Sequence, residues 1–187
     1  MKKSVIVIIV VAIVLILIGN FFISRFNTMK KMNVEVNNGW AEVENQLTRR
    51  YDLIPNLVET VKGYAKHEND VLTQVTEMRS RVGSAQTIQD KVDSNNQLTS
   101  ALGRLMVVVE KYPDLKANQN FIALQDELAG TENRLAVARK RYNDVVTSFN
   151  SYLVVFPNNI LAGWYNVAQA TFFQAPEEAA QAPKVEF

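Results

Sequence analysis

Apolar and polar residues follow two different rules along this chain. Val5 to Ile23 is apolar throughout, except for Gly19 and Asn20. As a helix that run rises about 28 Å, the thickness of one hydrocarbon core. It ends in Asn20-Phe21-Phe22-Ile23, without the small residues of a cleavage site, and no cysteine follows to make a lipoprotein signal. The run predicts a retained transmembrane anchor rather than a removed signal peptide. Beyond it, Trp40, Val43, Leu47, Arg50, Ile54, Leu57, Val61, Tyr64, Glu68, Val71, Val75, Met78 and Val82 recur in steps of three and four. That is the seam of a helix packed in a bundle or coiled coil, and only Arg50 and Glu68 break its apolar character. Met29, Met32 and Val36 extend it back toward the anchor. The simplest expectation is one long helix from the anchor to about Val82. Pro55 bends that helix, or else falls in the first turn of a new helix capped by Asp52.

Gly83, Ser84 and the stretch Asp90 to Asn96 are rich in turn and cap residues and predict a loop. A second helix carries Leu98, Ala101, Leu102, Leu105, Met106, Val109 and Tyr112, and Pro113 interrupts it. Asp114 or Asn118 can cap the third helix, whose seam is Phe121, Leu124, Leu128, Thr131, Leu135, Ala138, Tyr142, Val145, Phe149 and Tyr152. Phe156-Pro157-Asn158-Asn159 stops that helix. A shorter amphipathic helix follows with Ile160, Leu161, Trp164, Val167, Ala168, Thr171 and Phe172. No strand-period segment or fixed repeat competes. The predicted fold is all-α: a transmembrane helix, then an antiparallel three- to four-helix bundle with long first and third helices. Residues 1–4 flank the anchor at 5–23. Residues 24–36 form a helical stalk, 37–175 the bundle and 176–187 a tail.

Composition narrows the chemistry. Seven glycines and five prolines argue against an all-β fold. A net charge of +1 gives no global pull toward nucleic acid. There is no cysteine and one histidine, His67, so disulfides, thiolate nucleophiles and multi-histidine metal sites within one chain are excluded. His67-Glu68 lacks the second histidine of a zinc-protease motif, because Val71 stands there. No nucleophile elbow or Gly-rich phosphate loop occurs. Acidic residues intersperse Arg49, Arg50, Lys62 and Lys66, which reads as a solvated, salt-bridged face. Thr131, Asn143 and Asn150 fall on or beside the apolar face of the third helix. There they set register or meet a partner. Arg49, Arg50, Asp52, Asn56 and Glu59 are candidates for polar contacts with the third helix. Arg134 and Arg139 are placed to meet carboxylates such as Asp52 or Glu59.

Three runs carry a resemblance: WAEVENQLTRRYDLIPNLVETVKGYAKHE, LMVVVEKYPDLKANQNFIALQDELAGTENRLAVARKRYNDVVTSFN, and the later FPNN. Together, over about Asn33 to Phe173, they resemble the LemA family of bacterial membrane proteins. The resemblance implies one amino-terminal transmembrane helix before a compact antiparallel bundle. It also implies a short outside amino terminus and a cytoplasmic bulk domain. It brings no catalytic residue or cofactor.

The expected function is a non-enzymatic interaction or scaffold module, anchored by a single pass in the bacterial inner membrane. No cofactor, metal or nucleic acid is expected. Lys2 and Lys3 against Arg25, Lys30 and Lys31 give a near-even flank count that leans toward a cytoplasmic bundle. A stalk with its seam unpaired predicts self-association. The candidate interaction surface is Arg49, Arg50, Asp52, Asn56, Glu59, Arg134, Arg139 and Asn143. The terminal Val185-x-Phe187 has the shape that strand-adding grooves accept, which would suit an adaptor for an envelope quality-control protease. The alternative is a small-molecule sensor whose pocket is lined by Trp40, Tyr64, Tyr142 and Trp164.

Overall fold

Residues 2–174 are described by the computed structural model, and all regular structure among them is helical. The tail at 176–187, with Val185 and Phe187, lies outside the described residues. The helices are α1 (Lys2–Tyr64), α2 (Asn69–Ser84), α3 (Ile88–Val109), α4 (Pro113–Lys116), α5 (Gln119–Val154) and α6 (Asn158–Trp164). The chain divides into two compact units, residues 40–143 with 171–174 and residues 2–39 with 144–170.

In the first unit the three-four seam does its expected work. Ile54, Leu57 and Val61 of α1 are buried in one core with Leu72, Val75 and Val82 of α2, Leu98 and Leu105 of α3, and Phe121 and Leu128 of α5. Each side chain of that size contributes about 2 kcal/mol on burial. Polar pairs fix the directions. Arg79 of α2 reaches Tyr51, so α2 runs back along α1. Asn95 meets Arg50 and Tyr112 meets Glu68, so α3 runs with α1. Asn118 meets Tyr64 while Glu132 meets Arg50, so α5 is antiparallel to α1. Four helices thus make the bundle.

Three expectations change. The first helix does not continue to Val82. It ends at Tyr64, and a turn stabilised by Glu68 N–H donating to the Ala65 carbonyl (3.1 Å) leads into α2. The periodicity survives the turn because both helices face one core. Tyr64 itself is 43% exposed, and Ala65 takes the buried place beside it. Second, Asp90 to Asn96 is helix, not loop. Thr87 caps α3: its hydroxyl oxygen accepts from Asp90 N–H (3.0 Å) and its hydroxyl donates to the Asp90 carboxylate (2.6 Å). Asn118 caps α5 as expected, accepting from Phe121 N–H at 3.1 Å. Third, the last helix is short and stops at Trp164. Asn166 adopts φ 52°, and the Val167 and Asn166 N–H groups donate to the Ala162 and Gly163 carbonyls. That is a Schellman stop, with asparagine in the left-handed position.

The second unit holds the apolar run. Val5 to Ile18 are exposed along α1, and no part of this window is covered by protein. This is a helix long and apolar enough to cross a membrane, and its bare surface suits a lipid environment. The stalk that follows is covered. Met29 and Val36 are buried in the same unit as Val146, Phe149 and Leu153 of α5. The unpaired seam expected there is thus occupied by the chain's own helix. Along α5 the inward positions drift from the expected Val145 and Tyr152 to Val146 and Leu153. A straight helix turns once per 3.6 residues and slips against a strict three-four count.

Helix α1 runs through Pro55, so the capped start at Asp52 does not form. Proline cannot donate to the Tyr51 carbonyl. Arg79 Nε supplies the missing donor at 3.2 Å. Arg79→Met is therefore expected to lower bundle stability by about 1.5–3 kcal/mol, the scale for a bond from a charged donor. In a Pro55→Ala background the backbone serves Tyr51 itself, and the same substitution is expected to cost much less. Thermal unfolding of the four proteins in detergent checks the coupling; equal costs in both backgrounds would refute it.

Candidate functional site

The stretch around Pro55 presents two faces. Arg50, Ile54, Leu57 and Val61 turn inward, while Arg49, Asp52, Asn56 and Glu59 form an exposed stripe. Arg50 is only 5% exposed. Its guanidinium donates to Asn95 Oδ1 at 3.1 Å and pairs with Glu132 Oε2 at 2.8 Å. Burial pushes its pKa down, and the Glu132 carboxylate opposes that shift. One cation thereby ties α1 to α3 and α5. Arg49 stays in water, 3.7 Å from Glu127, which also accepts from Arg134 at 2.9 Å. Arg49 and Arg50 thus make the expected contacts with α5. Asp52 and Asn56 are exposed, and Glu59 lies 3.7 Å from Lys62 of its own helix.

Arg134 and Arg139 do not meet Asp52 or Glu59. Arg134 pairs with Glu127 on its own helix, and Arg139 lies over the Phe173 ring at 5.3 Å. Asn143 reads backbone: its amide donates to the Phe173 carbonyl (3.0 Å) and its oxygen accepts from Phe173 N–H (2.9 Å). Tyr142 donates to the Thr171 carbonyl at 2.7 Å. These contacts hold residues 171–173, which lie outside any helix, against α5. Within the other unit, Asn150 makes the same two-way contact with Ala170.

A LemA family model matches residues 39–187. The chain belongs to the LemA family. Protein LemA of Metamycoplasma hominis is 27% identical over 157 residues, covering 83% of this chain and 72% of that protein. Magnetosome protein MamQ 2 of Paramagnetospirillum magneticum is 26% identical over 176 residues, covering 80% of this chain and 65% of that protein. Magnetosome protein MamQ of Magnetospirillum gryphiswaldense is 23% identical over 164 residues, covering 74% and 60%. The chain thus spans between 60% and 65% of the length of these MamQ relatives. With the bare apolar helix, these findings make this LemA-family chain membrane-associated.

The aromatics expected to line a pocket fall in both units, Trp164 in the one that holds the apolar run and the other three in the bundle. Tyr142 is fully buried and meets Trp40 edge-to-face at 5.6 Å, whereas Tyr64 and Trp164 are exposed. His67 is exposed in the turn before α2. Among the described residues, no three histidine or carboxylate side chains gather as a metal site requires. Sequence reasoning did not anticipate a cleft of about 500 Å3 between α1, α2 and the start of α3, lined by Glu44, Tyr51, Asp52, Arg79, Ser80 and Lys91. Lys91 and Glu44 form an ion pair at its edge. The Tyr51 hydroxyl is shut from solvent with no hydrogen-bond partner.

Burial drives the Tyr51 pKa well up, against a smaller downward pull from Arg50. The unfolded chain releases this proton near pH 10, and the folded chain holds it longer. Its stabilising contribution is complete below about pH 10 and falls away as pH rises from there. Tyr51→Phe is expected to match or exceed the parent by about 1 kcal/mol near neutrality, since it deletes an unpaired buried hydroxyl. Its advantage is expected to grow toward about pH 11. Unfolding curves that stay parallel across that range would contradict this.

Proposed function

We propose that this protein is a non-enzymatic interaction module of the bacterial inner membrane, with its bundle on the cytoplasmic side. The single observation behind this is the division of labour on α1. One face carries the buried bundle contacts of Arg50, Ile54, Leu57 and Val61. The opposite face leaves Arg49, Asp52, Asn56 and Glu59 exposed on the same helix that holds the apolar run. Glu127 and Arg134 extend that charged stripe onto α5. Mixed charges on a rigid helix favour partner choice and association rate more than raw affinity. Because the stalk seam is covered, self-association would use this stripe. The flanking charges favour a cytoplasmic bundle by one residue, three at Arg25, Lys30 and Lys31 against two at Lys2 and Lys3.

The ligand-binding alternative moves from the four aromatics to the cleft beside Tyr51, where Arg79 and Asp52 supply opposite charges.

A photo-crosslinking residue at Asn56 or Glu59, in intact cells, is expected to give an adduct of discrete mass. Twice the chain mass identifies a second copy; another mass identifies a second envelope protein. Charge reversal at Arg49 and Arg134 is expected to remove the adduct. Unlinked monomer at both positions would overturn the reading.

A further inference from the structure

The end of α5 and the start of α6 carry an unusual surface. From Val145 to Pro176 the chain has no charged residue. Within that stretch Val154, Val155, Phe156, Ile160 and Trp164 are exposed, Phe156 by 75% and Trp164 by 71%. The turn is built, not frayed. Asn158 is 5% exposed, and its amide donates to the Tyr152 carbonyl at 3.0 Å, closing the corner. The Schellman stop at Asn166 ends α6 just after Trp164.

The place of this apolar tip in its unit identifies what covers it. Trp164 stacks on Phe22, with ring centroids 6.3 Å apart, and Tyr165 meets Phe26 edge-on at 4.7 Å. Phe22 is in the last turn of the apolar run that ends at Ile23. Arg25 sits over the Phe21 ring at 5.1 Å and reaches the Tyr152 hydroxyl at 3.4 Å. Aromatic rings beside an arginine at the end of an apolar span mark the headgroup level of a bilayer.

We propose that the α5–α6 turn is a second membrane contact, with Val154, Val155, Phe156, Ile160 and Trp164 seated in the lipid interface beside the end of the spanning part of α1. This rests on reading α1 as membrane-spanning. The occupant is lipid because the tip lies at the level where α1 leaves the hydrocarbon, and because it offers that level no charge. The contact fixes the depth at which the unit enters the interface and restrains its rotation about the anchor. The interfacial binding of such a surface scales with the apolar area it buries.

The chain has two tryptophans, so Trp40→Phe leaves Trp164 as the only tryptophan, whose emission is read by excitation at the red edge where tyrosine does not absorb. The full-length variant is reconstituted in vesicles containing lipids brominated near the headgroup end of their chains. Trp164 is expected to lose about half its emission relative to unbrominated vesicles, and to be protected from acrylamide, as an interfacial tryptophan is. Phe156→Asp is expected to weaken the quenching, and Phe156→Leu to preserve it. A second protein, Trp40→Phe with Trp164→Phe and Leu15→Trp, reports the anchor itself through lipids brominated deep in the chain. Quenching at position 15 without quenching at Trp164 overturns the tip and leaves the anchor standing. Quenching at neither position overturns both. Protection of Trp164 in native membranes but not in pure lipid means a protein covers the tip, and also overturns the proposal.

Discussion

The bundle depends on one buried charge. Arg50 interrupts an otherwise apolar seam on α1, and its guanidinium reaches Asn95 on α3 and Glu132 on α5. Apolar packing alone tolerates sliding: a helix shifted by a turn still presents Leu, Val and Ile to its neighbours. A cation shut from water does not tolerate it, because a shift leaves the charge unpaired. Losing one partner of a fully buried pair costs about 3–5 kcal/mol; Glu132 is half in water, so here the cost is smaller. What the pair supplies is register among three helices, in the manner of a polar residue at one seam position of a coiled coil.

The same logic recurs at two places where the backbone lacks a helical bond. Pro55 sits mid-helix in α1, and the Tyr51 carbonyl it leaves free is taken by Arg79 from α2. A local defect thereby becomes a contact between helices. Residues 171–173 have no helix of their own to satisfy their backbone. Tyr142 and Asn143 serve it with side chains. In each case a polar group near the core is answered by a particular partner, as the cost of leaving it bare demands.

These partners explain what could and could not be read from the chain. Inward faces were legible because burial writes a period of three and four, so Ile54, Leu57, Val61, Leu98 and Phe121 fell where expected. Turns between helices sharing one core were not legible by period. The break after Tyr64 leaves the count intact, and only Gly63 and the Asn69-Asp70 pair hint at it. Asn95 was lost with the stretch 90–96, which reads as a loop until Thr87 and Asp90 are recognised as a cap. Arg50 stood out as a flaw in the seam, but Glu132 as its partner required the fold. Arg134 and Arg139 were assigned to α1 carboxylates on charge alone. Geometry gave one to Glu127 and the other to the Phe173 ring. In the other unit, the apolar run was plain from composition. The asparagine that ends α6 was not, because its signal is a single left-handed residue.

Arg50 as the register pin can be tested by distance. The chain has no cysteine, so spin labels at Gln97→Cys on α3 and Asn133→Cys on α5 report only those sites. The measurement is the distribution of distances between them by pulsed electron resonance, in the parent and in Arg50→Met, with helix content checked in both. A narrow distribution in the parent is expected to broaden or shift in the variant toward the length of one helical turn, about 5 Å. An equally narrow distribution at the same distance in Arg50→Met would contradict the account, leaving apolar packing alone to set the register.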